Sequence, residues 1–227
     1  MNVAGLIYDV STWLIPIVVA ITFHEAAHGW VAHRLGDDTA FRLGRVTFNP
    51  FKHVDTFGTI VFPLMLAVLK APFVFGYAKP VPVNFRNLRQ PKQDMVWVAA
   101  AGPGINLLLA LACGVGLHAT DPATSRLVLW LQAVLDNGLL INVVLAVFNM
   151  LPLPPLDGGR VAVGLLPAPW DRKLASVELY GMPILFGLLL LPPLIGMQLG
   201  IDLNIAAYLL LPPVDWVATL ILNLTGH

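Results

Sequence analysis

Long apolar runs punctuated by prolines and a few charges organise the chain. The first runs from about Leu6 to Leu35, with Pro16 inside it, Gly36 as a C-cap, and Asp37 and Asp38 as a solvated end. A helix of that length is roughly 45 Å long, more than a hydrocarbon core needs. Asp94–His118 and about Leu127–Leu153 form two further spans, and about Tyr180–Leu199 and Ile205–Leu224 form two more. Between the first and second spans the pattern changes. Residues 41–50 alternate apolar and polar side chains and read as a short strand, and residues 78–85, with Pro80 and Pro82, read as an edge strand. The apolar run between them is interrupted at Pro63 and at Lys70-Ala71-Pro72. Its unbroken part, Thr56–Leu69, is short of the roughly 20 residues a crossing needs.

Charge decides how that middle piece is drawn. If it does not cross, every Lys and Arg except Arg126 falls on the side reached by the end of the first helix. The positive-inside rule favours this arrangement, with a cytoplasmic face there and the N-terminus outside. The predicted fold is an all-α polytopic membrane protein: about five transmembrane helices, a re-entrant segment at 56–75 and a short β-hairpin-like element. Six transmembrane helices are the alternative. Composition agrees, with 57% hydrophobic and 11% charged residues and a mean hydropathy of +0.77. Net charge is zero and no basic tract points to nucleic acid. Cys113 stands alone in an apolar run, which excludes an intrachain disulfide. One domain over 1–227 is expected, with a catalytic core of about 6–165 and C-terminal helices over about 177–224. The first run is expected to be retained, lacking the basic region and cleavage site of a removed signal.

Candidate chemistry sits inside the first span, in Thr22-Phe23-His24-Glu25-Ala26-Ala27-His28-Gly29. Four residues apart, His24 and His28 share a helix face and can grip one metal ion, and Glu25 projects beside it as a base for water. Ionisable groups at membrane depth are functional by default. A catalytic zinc takes three protein ligands. With a re-entrant middle segment, Asp157 arrives on the same side as the histidines. Prolines 152, 154 and 155 stiffen the chain before it, and Gly158-Gly159 let it turn after. The plain alternative for Asp157 is an Asx turn. His33, His53, His118 and His227 are not needed for a site, and neither Asp136 nor Asp215 is assigned.

These motifs, in order, resemble the site-2 protease family of intramembrane zinc metalloproteases, in its compact form without PDZ or CBS domains. The resemblance covers residues 20 to about 165. It rests on His24–His28, Asn49-Pro50, Ala78–Asn84, Ala101–Asn106, and Phe148–Pro152 leading into Leu156–Arg160. It implies one Zn2+ held by His24, His28 and Asp157, with Glu25 as base. The implied reaction is cleavage of transmembrane segments of membrane-protein substrates, and Asn149 has a supporting role. In this reading Asn149 holds the substrate carbonyl or oxyanion, and Asn106 is a candidate for substrate binding, for support behind the metal ligands or for a helix contact. The strands near Val46, Val81 and Val83 take the unwound substrate by β-addition. Partners are a transmembrane substrate and the bilayer. A metal-ion transporter or a catalytically silent scaffold are the competing readings.

Overall fold

The computed structural model of the chain describes residues 3–68, 76–120 and 125–227. Nine α-helices appear among them: α1 (Val3–Arg34), α2 (Thr39–Arg42), α3 (Phe62–Val68), α4 (Pro91–Leu117), α5 (Arg126–Asn149), α6 (Asp157–Leu165), α7 (Trp170–Ser176), α8 (Glu178–Leu199) and α9 (Ile205–Thr225). Five are long and apolar enough to cross a membrane: α1, α4, α5, α8 and α9. Helices α1, α4 and α5 pack together at the centre, α9 leans on α4 and α5, and α6 packs against α4.

Proline is tolerated inside α1 because a neighbour supplies the missing donor. Pro16 has no N–H for the Thr12 carbonyl, and Asn137 of α5 donates to that oxygen at 3.1 Å. Nearby, Gly138 of α5 lies so close to Cys113 of α4 that a Cβ there would sit 2.9 Å from its sulfur. At its other end α1 closes with a Schellman turn. Gly36 takes φ 112° and donates to the His33 carbonyl, and Asp37 N–H reaches the Ala32 carbonyl.

Asp37 corrects one expectation. Asp38 is half exposed, but Asp37 is fully buried. It accepts hydrogen bonds from Thr39 N–H (3.1 Å) and the Thr39 hydroxyl, from Asn87 Nδ2 (2.9 Å) and from Asn84 N–H (2.6 Å). The carboxylate therefore ties the 84–87 segment to the end of α1.

The β-hairpin-like element is also corrected, since no strand occurs among the described residues. Residues 39–42 form the short helix α2, and Gly44 at φ 62° turns the chain so that Arg45 N–H returns to the Ala40 carbonyl. Residues 78–84 are extended but build no ladder, because Pro80 and Pro82 have no N–H and the Val81 N–H goes to Glu25. The two stretches do meet. Arg45 Nη2 donates to the Lys79 carbonyl at 2.9 Å, and a Cβ on Gly29 would touch the side chains of both Val46 and Val81.

Residues 56–68 form a π turn (Thr56–Val61) running into α3. At about 1.5 Å per residue these described residues span roughly 20 Å. Tyr77 N–H donates to the Gly58 carbonyl at 3.0 Å, and the Thr59 hydroxyl donates to the Tyr77 carbonyl at 2.9 Å. Residues 58–59 and 77 thus lie side by side, as expected for a re-entrant segment. The expected interruption at Lys70-Ala71-Pro72 lies outside the described residues.

Candidate metal centre and active site

Two features of α1 bring the histidines to bear: their four-residue spacing and the close approach of α4. A stripe of α4 at every fourth position, Val98, Gly102 and Asn106, lies against them. His24 Nδ1 donates to Asn106 Oδ1 at 2.6 Å, and His28 Nδ1 donates to the Val98 carbonyl at 2.7 Å. Gly102 sits between these two contacts, and a Cβ there would lie 2.4 Å from His28 Nε2 and 2.6 Å from His24 Nε2. Only glycine fits.

Those hydrogen bonds fix both tautomers. A carbonyl accepts only, so His28 carries a proton on Nδ1, and in the neutral ring that metal binding requires Nε2 is the lone pair. For His24 the argument runs through two amides. Asn142 Nδ2 donates to the Gly138 carbonyl (2.8 Å), so Asn142 Oδ1 accepts from Asn106 Nδ2 (2.7 Å), which also donates to the Ala20 carbonyl (3.2 Å). Asn106 therefore presents its oxygen to His24, and His24 Nε2 is also a lone pair.

Into this pair comes Asp157, the first residue of α6. Gly158 and Gly159 allow α6 to start hard against the preceding loop: a Cβ on Gly158 would lie 2.2 Å from the Met150 carbonyl oxygen, and one on Gly159 2.2 Å from Pro154 N. Asp157 Oδ2 is 3.1 Å from His24 Nε2 and 3.3 Å from His28 Nε2, and the two nitrogens are 3.0 Å apart. The three side chains are only 9, 11 and 9% exposed. Asp157 Oδ2 is buried without a hydrogen-bond donor. With both Nδ1 atoms engaged, Nε2 of each ring and the Asp157 carboxylate converge, and such a cluster is held together by a cation between them, a proton or a metal ion. Ligand atoms bound at 2.0–2.2 Å around a tetrahedral ion are separated by about 3.3–3.6 Å. The observed triangle is close to one face of that tetrahedron, so the residues fit zinc.

Glu25 is turned away from the triangle onto the 78–84 segment, where Oε2 accepts the Val81 N–H at 2.7 Å. His24, Glu25, His28 and Asp157 share a cavity of about 350 Å³ with Asn149, Val81, Val83 and Arg160. A second cavity, of about 170 Å³, continues from His24, Glu25 and Asn149 along Ile21, Leu145, Phe148 and Leu185. Asn149 donates one amide hydrogen to the Leu145 carbonyl at 3.0 Å.

The other sequence candidates fall in different places. Asn106 is fully buried behind His24 and faces no cavity wall used by the metal site. Val46 lines a separate cavity with Phe23, Trp30 and Phe48. Val81 and Val83 line the metal cavity, but the backbone donor that Val81 would offer an added strand is engaged by Glu25. Sequence reasoning left Gly102, Asn142 and Arg160 without a role. Gly102 stood in a run read only as small residues, and no spacing rule marks a glycine that faces imidazoles from another helix.

Asp37 supports the site from a distance, since it anchors Asn84 and hence the segment that holds Glu25. Burial by itself disfavours its charge. The hydrogen bonds from Thr39, Asn87 and Asn84 outweigh that and hold its carboxyl below the ordinary value of 3.8. A carboxyl lowered in the folded state contributes stability that is fully present above the unfolded pKa and is lost as pH falls through the folded one. Asp37→Asn places an amide N–H against existing donors, and is expected to cost about 1–3 kcal/mol. Thermal unfolding in detergent should register that loss at neutral pH. It should also find the gap to wild type narrowing as pH falls below 3.8, the unfolded value, toward the lower value at which the native carboxylate is protonated.

Comparison with known proteins agrees in kind. The family model of peptidase family M50 matches residues 117–192. YwhC of Bacillus subtilis (strain 168), provisionally named a zinc metalloprotease, is 39% identical over 193 residues, covering 80% of this chain and 80% of its own. Rip2 of Mycolicibacterium smegmatis, likewise named, is 30% identical over 193 residues, covering 85% and 70%. MJ0611 of Methanocaldococcus jannaschii, also so named, is 29% identical over 160 residues, covering 70% and 72%. No solved structure matches the chain.

Proposed function

The chain belongs to peptidase family M50, a family of membrane metalloproteases whose cofactor is zinc, and from that premise we propose that it hydrolyses peptide bonds within or beside transmembrane segments of other membrane proteins, as in regulated intramembrane proteolysis. The observation that carries this reading is the convergence of His24 Nε2, His28 Nε2 and Asp157 Oδ2 beside Glu25, in the C-terminal half of an apolar helix long enough to cross a membrane.

In this reading His24, His28 and Asp157 hold the ion, and the α4 stripe orients both imidazoles from behind. A bound zinc supplies Lewis acidity, which lowers the pKa of water toward neutrality and polarises a peptide carbonyl. Glu25, steadied at Oε2 by Val81, takes a proton at its other oxygen and passes it to the leaving amine nitrogen. Asn149 has a second amide hydrogen beyond the one given to Leu145, and it is assigned to the substrate carbonyl. Val81 and Val83 contact the unwound substrate, while Asn106 acts as a positioning residue through His24. The Lys and Arg distribution supports a cytoplasmic-side active site with the N-terminus outside.

Metal removal tests the proposal. Purified full-length protein should hold one zinc ion per chain. Chelation should abolish cleavage of a transmembrane test substrate, and added zinc should restore it. Cleavage that persists in metal-free protein would sink the reading.

A further inference from the structure

Arg160 lies one turn after Asp157 on the same face of α6 and lines the metal cavity. Its guanidinium carbon sits 5.4 Å over the ring of Phe85, another wall of that cavity. One nitrogen, Nη2, donates to Glu178 Oε1 at 3.3 Å, a long contact between half-exposed side chains. Exposed pairs of this kind are weak and exchange readily. Nε is buried and has no hydrogen-bond partner. The planar edge of Nε and Nη is therefore half used, in a cavity that already holds the reacting groups.

Resting on the protease reading, we propose that Arg160 binds a carboxylate of the cleaved chain. An arginine fork matches two oxygens at once, and the ligand that supplies two is a carboxylate. A peptide carbonyl would answer one N–H and leave the buried Nε as it is. The incoming group displaces Glu178, which holds the fork by a single bond. Two sources carry this chemistry: an acidic side chain of the substrate near the scissile bond, or the new C-terminal carboxylate left on the amino-terminal fragment after hydrolysis.

Equilibrium binding separates these sources. The host is the full-length, zinc-loaded chain carrying Glu25→Gln, so binding stays readable even where the wild type cleaves nothing. A wild type that cleaves nothing would count against the protease reading alone. One arm compares uncut substrate peptides with Glu or Gln at each position flanking the cut. The other compares the amino-terminal fragment as free acid and as amide. Preference for the acid of about tenfold or more is expected in one arm, and that arm names the source. Adding Arg160→Gln should erase the part of the preference that the zinc does not supply, and Arg160→Lys should restore it only partly, for want of a fork. Adding Glu178→Gln should strengthen it, since the fork is then free, whereas a merely structural ion pair would make both single changes act alike. No acid preference in either arm, or a preference unchanged by Arg160→Gln, overturns the proposal.

Discussion

Glu25→Gln is expected to keep the zinc and lose cleavage by about 10²–10⁴-fold, the usual contribution of a positioned acid–base group. The change is nearly isosteric, and the amide oxygen can still accept the Val81 N–H, so the side chain stays where it is. No ligand atom is touched: His24, His28 and Asp157 form the triangle without it. What disappears is an oxygen able to take a proton and return it. Zinc content measured by elemental analysis should equal that of wild type, while fragments of a transmembrane test substrate should fall below detection. Zinc retention with cleavage within a few-fold of wild type would remove Glu25 from the mechanism. Loss of zinc together with activity would instead show that Glu25 holds the site together.

How far the site was legible depended on whether its parts obey a local period. His24 and His28 are one helical turn apart, and a carboxylate between them in a membrane span is too costly to be incidental. Asp157 has no such local mark. It became legible only through topology, because a segment too short to cross places it on the histidines' side. The five spans were readable locally, each being a long apolar run whose length alone dictates a helix. The strands were misread because residues 78–84 alternate like a strand, while their prolines and the Glu25 contact consume the groups a ladder needs. Asp37 was misread because its neighbour Asp38 and the helix end suggest solvent, whereas two of its four donors come from Asn84 and Asn87, far along the chain. The supporting shell was the least legible part. Val98 acts through its carbonyl, Gly102 through its lack of a side chain, and Asn142 through an amide two steps from the metal. None of these roles leaves a trace in residue spacing.

That supporting shell carries the second large effect, in a contrast between two glycines of one helix. Gly102→Ala is expected to weaken zinc binding by about 10²-fold or more, whereas Gly104→Ala should leave it unchanged. The added methyl at 102 would lie 2.4–2.6 Å from the two ligand nitrogens, well inside van der Waals contact. The histidines cannot retreat, because Asn106 and the Val98 carbonyl hold them from the same helix. If α4 moves back, it breaks both of those hydrogen bonds, and outer-shell partners of this kind are each worth about 10–100-fold in metal affinity. At 104 a Cβ meets nothing within 4 Å, so alanine brings only its better helix propensity, up to about 1 kcal/mol. Zinc competition against a chelator of known affinity reads the first effect, and thermal unfolding of the metal-free proteins reads the second. Equal zinc affinity in the two variants would mean that α4 does not press on the histidines as described, and the tautomers derived from its contacts would fall with it.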